Sequence, residues 1–204
     1  MDWNLNQFLL AISSALDYVE IGALGATTNH SKRVAYTSLR LAEYLGLGPE
    51  ACFDLCSLAV LHDNGLSEEM LHSVAAPEAP AERLRLLEGY HIHCEVGERN
   101  IRDFPFLTDP VNVIRYHHER HDGSGFYGVR GPDIPIMAQT IGLADTADNL
   151  FHFDDSHLGN RLRIEEYVAA GRGCLFAPEL ADAFLDLSRH VGFWLDLREP
   201  FIHR

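Results

Sequence analysis

Between Arg115 and Gly128 the chain reads RYHHERHDGSGFYG, with three histidines, a glutamate and an aspartate in its first eight positions and glycines after them. Adjacent histidines add little core volume, and glycines raise the entropy lost on folding. Something held by this run has to offset those costs, and the rest of the chain has to be folded so as to reach it.

Around the run the apolar spacing is helical. Phe8, Ile12, Leu16 and Val19 recur at three- and four-residue intervals. Val34, Leu41 and Leu45, with Leu39 and Ala42 alongside, repeat the pattern in a helix from near Asn29 to Gly46 or Gly48. A third helix begins at Pro49 and Glu50 and runs through CFDLCSLAVLHD. Residues 73 to 80, SVAAPEAP, read as a surface loop. Helices are expected again near Arg83, near Glu95 and over 110–119, where Asp109 is the N-cap. IPIMAQTIGLADTADNLFHF reads as a buried helix, and FAPELADAFLDLSRHVGFWLDL as one long amphipathic helix with proline in its first turn. There is no run of alternating β-branched residues, no internal repeat and no second composition regime. The expected fold class is therefore all-α, as a single domain over 1–204: an N-terminal helix over 1–26, a core over 27–188 and a C-terminal helical extension over 189–204. A short hairpin in the glycine loop stays open.

Composition narrows the function. The 204 residues are 47% hydrophobic and 23% charged, which suits one soluble globular domain. A formal charge of −14 excludes non-specific binding to nucleic acid, which needs a basic surface. It leaves room for a small anionic substrate, because a metal site reverses the sign locally. Cys52, Cys56, Cys94 and Cys174 form no CxxC pair and read as reduced core residues. The N-terminal stretch lacks a signal peptide's basic region and cleavage site, and no apolar run reaches the roughly 18 residues of a membrane span. A cytoplasmic protein with no membrane contact is expected.

The placement of the twelve histidines says more than their number. LHDNG puts His62 and Asp63 side by side near the end of an apolar helix, His30 opens the second helix, His93 starts a later one and His117–His118 closes another. Asp145 and Asp148 lie three apart on one face of an otherwise apolar helix, and buried carboxylates need a cation or hydrogen-bond donors. Successive helical side chains diverge by about 100°, so an adjacent pair reaches two neighbouring ions more readily than one. His30, His62, Asp63, His93, His117, His118 and Asp145 make seven candidate ligands. With Asp63 bridging, they supply roughly four contacts to each of two ions, too many for one closed zinc site. His91 and His121 read as neighbours of ligands; His72, His152, His157, His190 and His203 read as core or solvated, and FHFDDSHLGN as a solvated turn.

The order His30, His62–Asp63, His93, HHERHDGSG, Asp145 resembles the HD-GYP branch of the HD superfamily of metal-dependent phosphohydrolases, from residue 27 to about 188. HHERHDGSGFYG is similar to the motif HHExxDGxGYP, and LAVLHDNG to the helix that carries the HD pair. The resemblance implies an all-helical bundle, a centre of two or three iron or manganese ions, and hydrolysis of cyclic di-GMP or a related cyclic dinucleotide by a metal-bridging hydroxide. It puts the seven residues in the metal-binding places, with Asp63 also catalytic, and assigns Glu119, Asp122, Gly123 and Gly125 to shaping the signature loop. Asp148 is expected to orient a ligand or to bond backbone.

Three positions depart from the pattern. Leu66 replaces the lysine of HDxGK, Phe126–Tyr127 replaces the tyrosine and proline of GYP, and Ala26 stands where three-metal members carry glutamate. Two divalent ions are therefore expected, iron or manganese before zinc. Arg33, one turn beyond His30, is expected to contact a phosphate in place of the missing lysine. The missing lysine keeps two alternatives in view: a cyclic-dinucleotide receptor without turnover, and an HD phosphohydrolase acting on a nucleotide monophosphate. With only 29 residues before His30, regulatory input is expected from a separate GGDEF or sensor protein, from a homodimer, or from metal and redox state.

Overall fold

The computed structural model describes residues 5–24, 26–66 and 91–202. The expected loop over 73–80, the helix near Arg83, His72 and His203 lie outside them. The described residues form eight α-helices: α1 (Leu5–Leu24), α2 (His30–Tyr44), α3 (Pro49–Val60), α4 (Ile92–Asn100), α5 (Ile136–Phe151), α6 (Leu158–Gly171), α7 (Pro178–Ser188) and α8 (Val191–Asp196). A single 3-10 turn spans Gly131–Asp133. The only β pairing among the described residues is an isolated bridge between Arg172 and Phe176, so the glycine loop forms no hairpin.

Helices α2 and α5 are the inner wall, and each serves two apolar clusters. Val34, Ala35 and Ala42 of α2 and Ile141 and Ala144 of α5 join Leu55, Leu58 and Ile114 on one side. Leu41, Leu143 and Ala147 join Phe153, Ile164, Phe184 and Trp194 on the other. Two faces of the same pair of helices are thus removed from water, the strongest favourable term in holding them. In α1 it is Leu9, with Ile12 and Leu16, that meets the core, whereas Phe8 is 44% exposed.

The start of α2 carries His30 and is unusual. Asn29 caps it in a left-handed conformation (φ 64°) without a side-chain bond. The cap comes from α1 instead: the Asp17 carboxylate accepts the Ser31 amide at 3.0 Å and the Ser31 hydroxyl at 2.7 Å, with Lys32 Nζ 3.7 Å away. An anion at a helix N-terminus satisfies free amides and complements the dipole.

Two expected helices are corrected. Residues 111–118 run as successive turns, not a helix. Asn112 sits at φ 62°, and the Glu98 carboxylate of α4 accepts the amides of Asn112 (2.6 Å) and Arg115 (3.0 Å). The expected single C-terminal helix is broken between α7 and α8, where His190 is extended and Trp194 Nε1 donates back to the Ser188 carbonyl at 2.7 Å. Helix α6 is not announced by the sequence; its only fully enclosed positions are Ile164, Val168 and Gly171, too few to show as a stripe.

Candidate metal centre

Four separate pieces of chain deliver the expected ligands to one buried place: the start of α2 (His30), the turn after α3 (His62, Asp63), the first turn of α4 (His93) and the turn before the glycine loop (His117, His118), all facing Asp145 on α5. Glycines permit two of the crossings. A Cβ on Gly65 would lie 2.2 Å from the His93 carbonyl oxygen, and one on Gly142 would lie 2.2 Å from that of His117. Alanine is normally favoured over glycine inside a helix by about 1 kcal/mol. Gly142→Ala is expected to reverse that sign and destabilise by about 1–3 kcal/mol through overpacking, measured by denaturant unfolding.

The ligand atoms fall into two groups with Asp63 between them. His30, His62 and Asp145 form one, and His93, His117 and His118 the core of the other. Asp145 Oδ1 lies 3.1 Å from His30 Nε2 and 3.4 Å from His62 Nε2. Asp63 turns Oδ2 to His62 Nε2 (3.5 Å) and Oδ1 to His93 Nε2 (3.5 Å) and His117 Nε2 (3.7 Å). Ligands about 2.0–2.3 Å from a tetrahedral ion sit roughly 3.3–3.8 Å apart, the spacing of these atoms except the shorter 3.1 Å between Asp145 and His30. The donor set is imidazole plus carboxylate, suited to transition metals. Asp63 Oδ1, Asp145 Oδ2 and His117 Nε2 are buried without a hydrogen bond, which is costly unless a cation takes them up. These residues fit divalent metal.

Orienting bonds surround the set. His62 Nδ1 donates to the Ala59 carbonyl (2.8 Å) and His117 Nδ1 to that of Ile114 (2.6 Å), which leaves Nε2 as the inward atom of each ring. Asp148 accepts from His30 Nδ1 at 2.6 Å, and Asn149 donates to Asp145 Oδ1 at 2.6 Å. Asp148 also accepts the Phe153 amide at 2.8 Å, so it both holds the His30 ring and bonds backbone, the two roles open to it from sequence. Asn149 was visible in principle, four residues after Asp145 on one helix.

The adjacent histidines depart from expectation. His117 and His118 stack with centroids 3.9 Å apart and join the same group. The 100° divergence belongs to a regular helix, and this segment is not one. His118 still spans both groups, with Nε2 3.2 Å from His93 Nε2 and Nδ1 3.8 Å from Asp145 Oδ2.

Arg33 is a correction. It is 2% exposed, and its Nε and Nη2 donate to the two Asp148 oxygens, each at 2.9 Å. Further donors go to the Thr28 carbonyl (2.6 Å) and the Thr27 hydroxyl. A guanidinium committed this way holds Asp148, which holds His30; it does not face a substrate. Leu66 is likewise buried, 3% exposed.

Glu119 accepts the amides of Tyr127 (2.8 Å) and Val129 (2.7 Å), and Asp122 accepts that of Ser124 (2.9 Å), so both tie down the glycine loop. Gly125 passes so near Glu119 that a Cβ would lie 2.6 Å from its Cα, and Gly123 turns the chain at φ 79°. His91 packs against Phe126 and Tyr127, and the His121 backbone bonds Leu175 and Gly131; neither joins the ligand groups.

Burial opposes charge on each of these groups, and for Asp63, Asp148 and His117 neighbours outweigh it. His62, His117 and His93 hold Asp63 well below the usual carboxylate range, and Arg33 and His30 do the same for Asp148. For His117, burial is overcome by the Cys94 sulfur and Asp63, which raise its pKa to about 9. Burial beside His117 and His93 keeps His118 neutral. A proton resident on His117 below pH 9 must leave before the ring binds metal. Metal affinity is therefore expected to rise about tenfold per pH unit from 7 towards 9 and then level. Calorimetry in buffers of different ionisation enthalpy measures the released proton.

A cavity of about 290 Å³ adjoins the centre at His117 and His118. Arg120, Ser124, Gln139 and Thr146 give it polar wall, and Phe126, Tyr167 and Phe176 give it aromatic wall. Apart from Phe126, sequence reading assigned these residues no role, because the wall is assembled from the loop, α5, α6 and the turn after it.

Comparison with known proteins agrees with this arrangement. The HD domain family model matches residues 27–150, which hold all seven ligands. A cyclic di-GMP phosphodiesterase of Thermotoga maritima is 28% identical over 177 residues, covering 81% of this chain and 45% of that protein. The cyclic di-GMP phosphodiesterase response regulator RpfG of Xanthomonas campestris is 27% identical over 186 residues, covering 87% of this chain and 46% of its own length. The chain thus spans about half the length of these curated relatives. Among solved structures, a cyclic GMP-AMP-specific phosphodiesterase of V. cholerae superposes with a TM-score of 0.77 at 19% identity, over 98% of this chain and 52% of that one. No described helix is long and apolar enough to cross a membrane. With the family match running through the whole ligand-bearing stretch, the chain belongs to the HD domain family.

Proposed function

We propose that this chain is a phosphodiesterase that hydrolyses a cyclic dinucleotide, cyclic di-GMP or a close relative, at a pair of divalent transition ions, iron or manganese before zinc. One observation carries the reading: the two oxygens of Asp63 face different ligand groups, so one carboxylate serves two ions. Ions held there supply Lewis acidity towards phosphoryl oxygens and a water nucleophile active near neutral pH. The protein's own work is to hold His30, His62 and Asp145 on one side and His93, His117 and His118 on the other. His118, whose side chain is 11% exposed, is where the centre meets the cavity. There Arg120, Ser124, Gln139 and Thr146 receive phosphate, and Phe126, Tyr167 and Phe176 receive a base. The names of the relatives support this substrate class. A single HD-type unit in the cytoplasm suits the four free cysteines, with regulatory input from a GGDEF or sensor protein or from a second copy.

The test is metal analysis of anaerobically purified protein, coupled to product identification with cyclic di-GMP, cyclic GMP-AMP and a nucleoside monophosphate. About two ions per chain and a linear dinucleotide or mononucleotide product are expected. Tight binding with the cyclic ligand recovered intact would make the protein a receptor, the reading that Leu66 favours. Turnover of the monophosphate alone would move it to another branch of HD chemistry.

A further inference from the structure

Cys94 follows His93 in the first turn of α4 and is fully buried. Adjacent helical side chains diverge by about 100°, yet Cys94 Sγ lies 3.3 Å from the inward nitrogen of His93, Nε2; its 4.0 Å approach to His117 is to Nδ1, the nitrogen that bonds the Ile114 carbonyl, so the sulfur enters from the His93 side. One ligand atom each from His93, Cys94, His117 and His118 falls within 4.8 Å of the other three. The 3.3 Å distance from the sulfur to His93 Nε2 is close to the roughly 3.5 Å edge of a tetrahedron around an ion with a bond to sulfur of about 2.3 Å. Independent evidence that this place takes a cation comes from His117 Nε2 and Asp63 Oδ1, both buried, both facing the group and both without a hydrogen bond. A cysteine in the first turn of a helix is also favoured as thiolate, the ligating form.

We infer that Cys94 is a thiolate ligand of the metal held by His93 and His117, which makes the two metal places chemically unequal. The inference rests on the proposed dinuclear centre. On binding, one proton leaves the Cys94–His117 pair for solvent and a metal–sulfur bond forms. The place formed by His30, His62, Asp145 and one oxygen of Asp63 presents only nitrogen and oxygen. Its neighbour adds a soft donor, which selects zinc or iron(II) over manganese. A mixed pair of ions follows, with manganese confined to the first place.

Cobalt(II) substitution tests this without reference to activity. Cobalt-loaded protein is expected to show visible ligand-field bands together with a near-ultraviolet sulfur-to-cobalt charge-transfer band that disappears in Cys94→Ser. Zinc-edge X-ray absorption on the unaltered protein, which needs no variant, is expected to find one sulfur at about 2.3 Å for every two zincs. Bound cobalt with ligand-field bands but no charge-transfer band, and zinc with only nitrogen and oxygen around it, would overturn the role of Cys94 and leave the metal centre standing. Failure to bind cobalt or zinc at all would overturn the dinuclear reading itself, and the thiolate ligand with it.

Discussion

Asp63→Asn is expected to lower hydrolysis of a cyclic dinucleotide by about 1,000-fold or more and to reduce metal content from two ions towards one. The amide offers one neutral carbonyl oxygen where the carboxylate presents charge to both groups, to His62 on one side and to His93 and His117 on the other. Losing one preorganised electrostatic contact to a transition state costs about 100- to 1,000-fold, and here a metal is lost as well. Steady-state kinetics read beside metal content separate the two effects. Full metal occupancy with normal rate would remove Asp63 from its bridging place. His62→Ala, by contrast, removes a nitrogen from the first group and should leave the second ion bound.

Arg33→Ala is expected to destabilise the fold by about 3–5 kcal/mol, the cost of leaving a buried charge without its partner. The partner is Asp148, fully buried and held by two guanidinium bonds of 2.9 Å. Asp148 also fixes the His30 ring at 2.6 Å, so metal affinity should fall about 10- to 100-fold, as for other groups behind a ligand. Arg33→Lys should recover little, since an ammonium cannot make the paired planar contact. Urea unfolding and metal titration measure both effects. With metal restored to saturation, kcat/KM is expected to stay within a few-fold of the parent. A selective rise in KM for the phosphodiester would return Arg33 to substrate binding.

The ligands were legible because their chemistry is conspicuous. A histidine–aspartate pair at the end of an apolar helix, or two carboxylates three apart inside one, has no packing use. The structure brings all seven together. The core helices were legible for a related reason, since apolar spacing on α2 and α5 records the faces that leave water. Where a helix depends on a remote side chain, spacing is silent. Residues 111–118 have helical composition, but Glu98 of α4 takes two of their amides and Asn112 turns left-handed. Off a regular helix, the His117 and His118 rings stack, and His118 alone turns its Nδ1 to Asp145 of the other group.

Arg33 and Cys94 show the same boundary. Spacing put Arg33 on the face of His30, which is where it lies, but only the packed structure brings Asp148 against it. Cys94 looks like an ordinary core thiol until α4 swings its sulfur to the rings of His93 and His117.

By itself, the sequence determined the all-helical class, the family, and which seven histidine and aspartate side chains to look for in one place. These follow from residue type and local period, which a chain carries before it folds. The tertiary structure alone decided which oxygen of Asp63 meets which histidines, that Arg33 is bonded to Asp148 behind His30, and that a cysteine stands beside His93. Those outcomes depend on directions and distances between segments far apart in the chain, set by close packing at contacts such as Gly65 on His93 and Gly142 on His117.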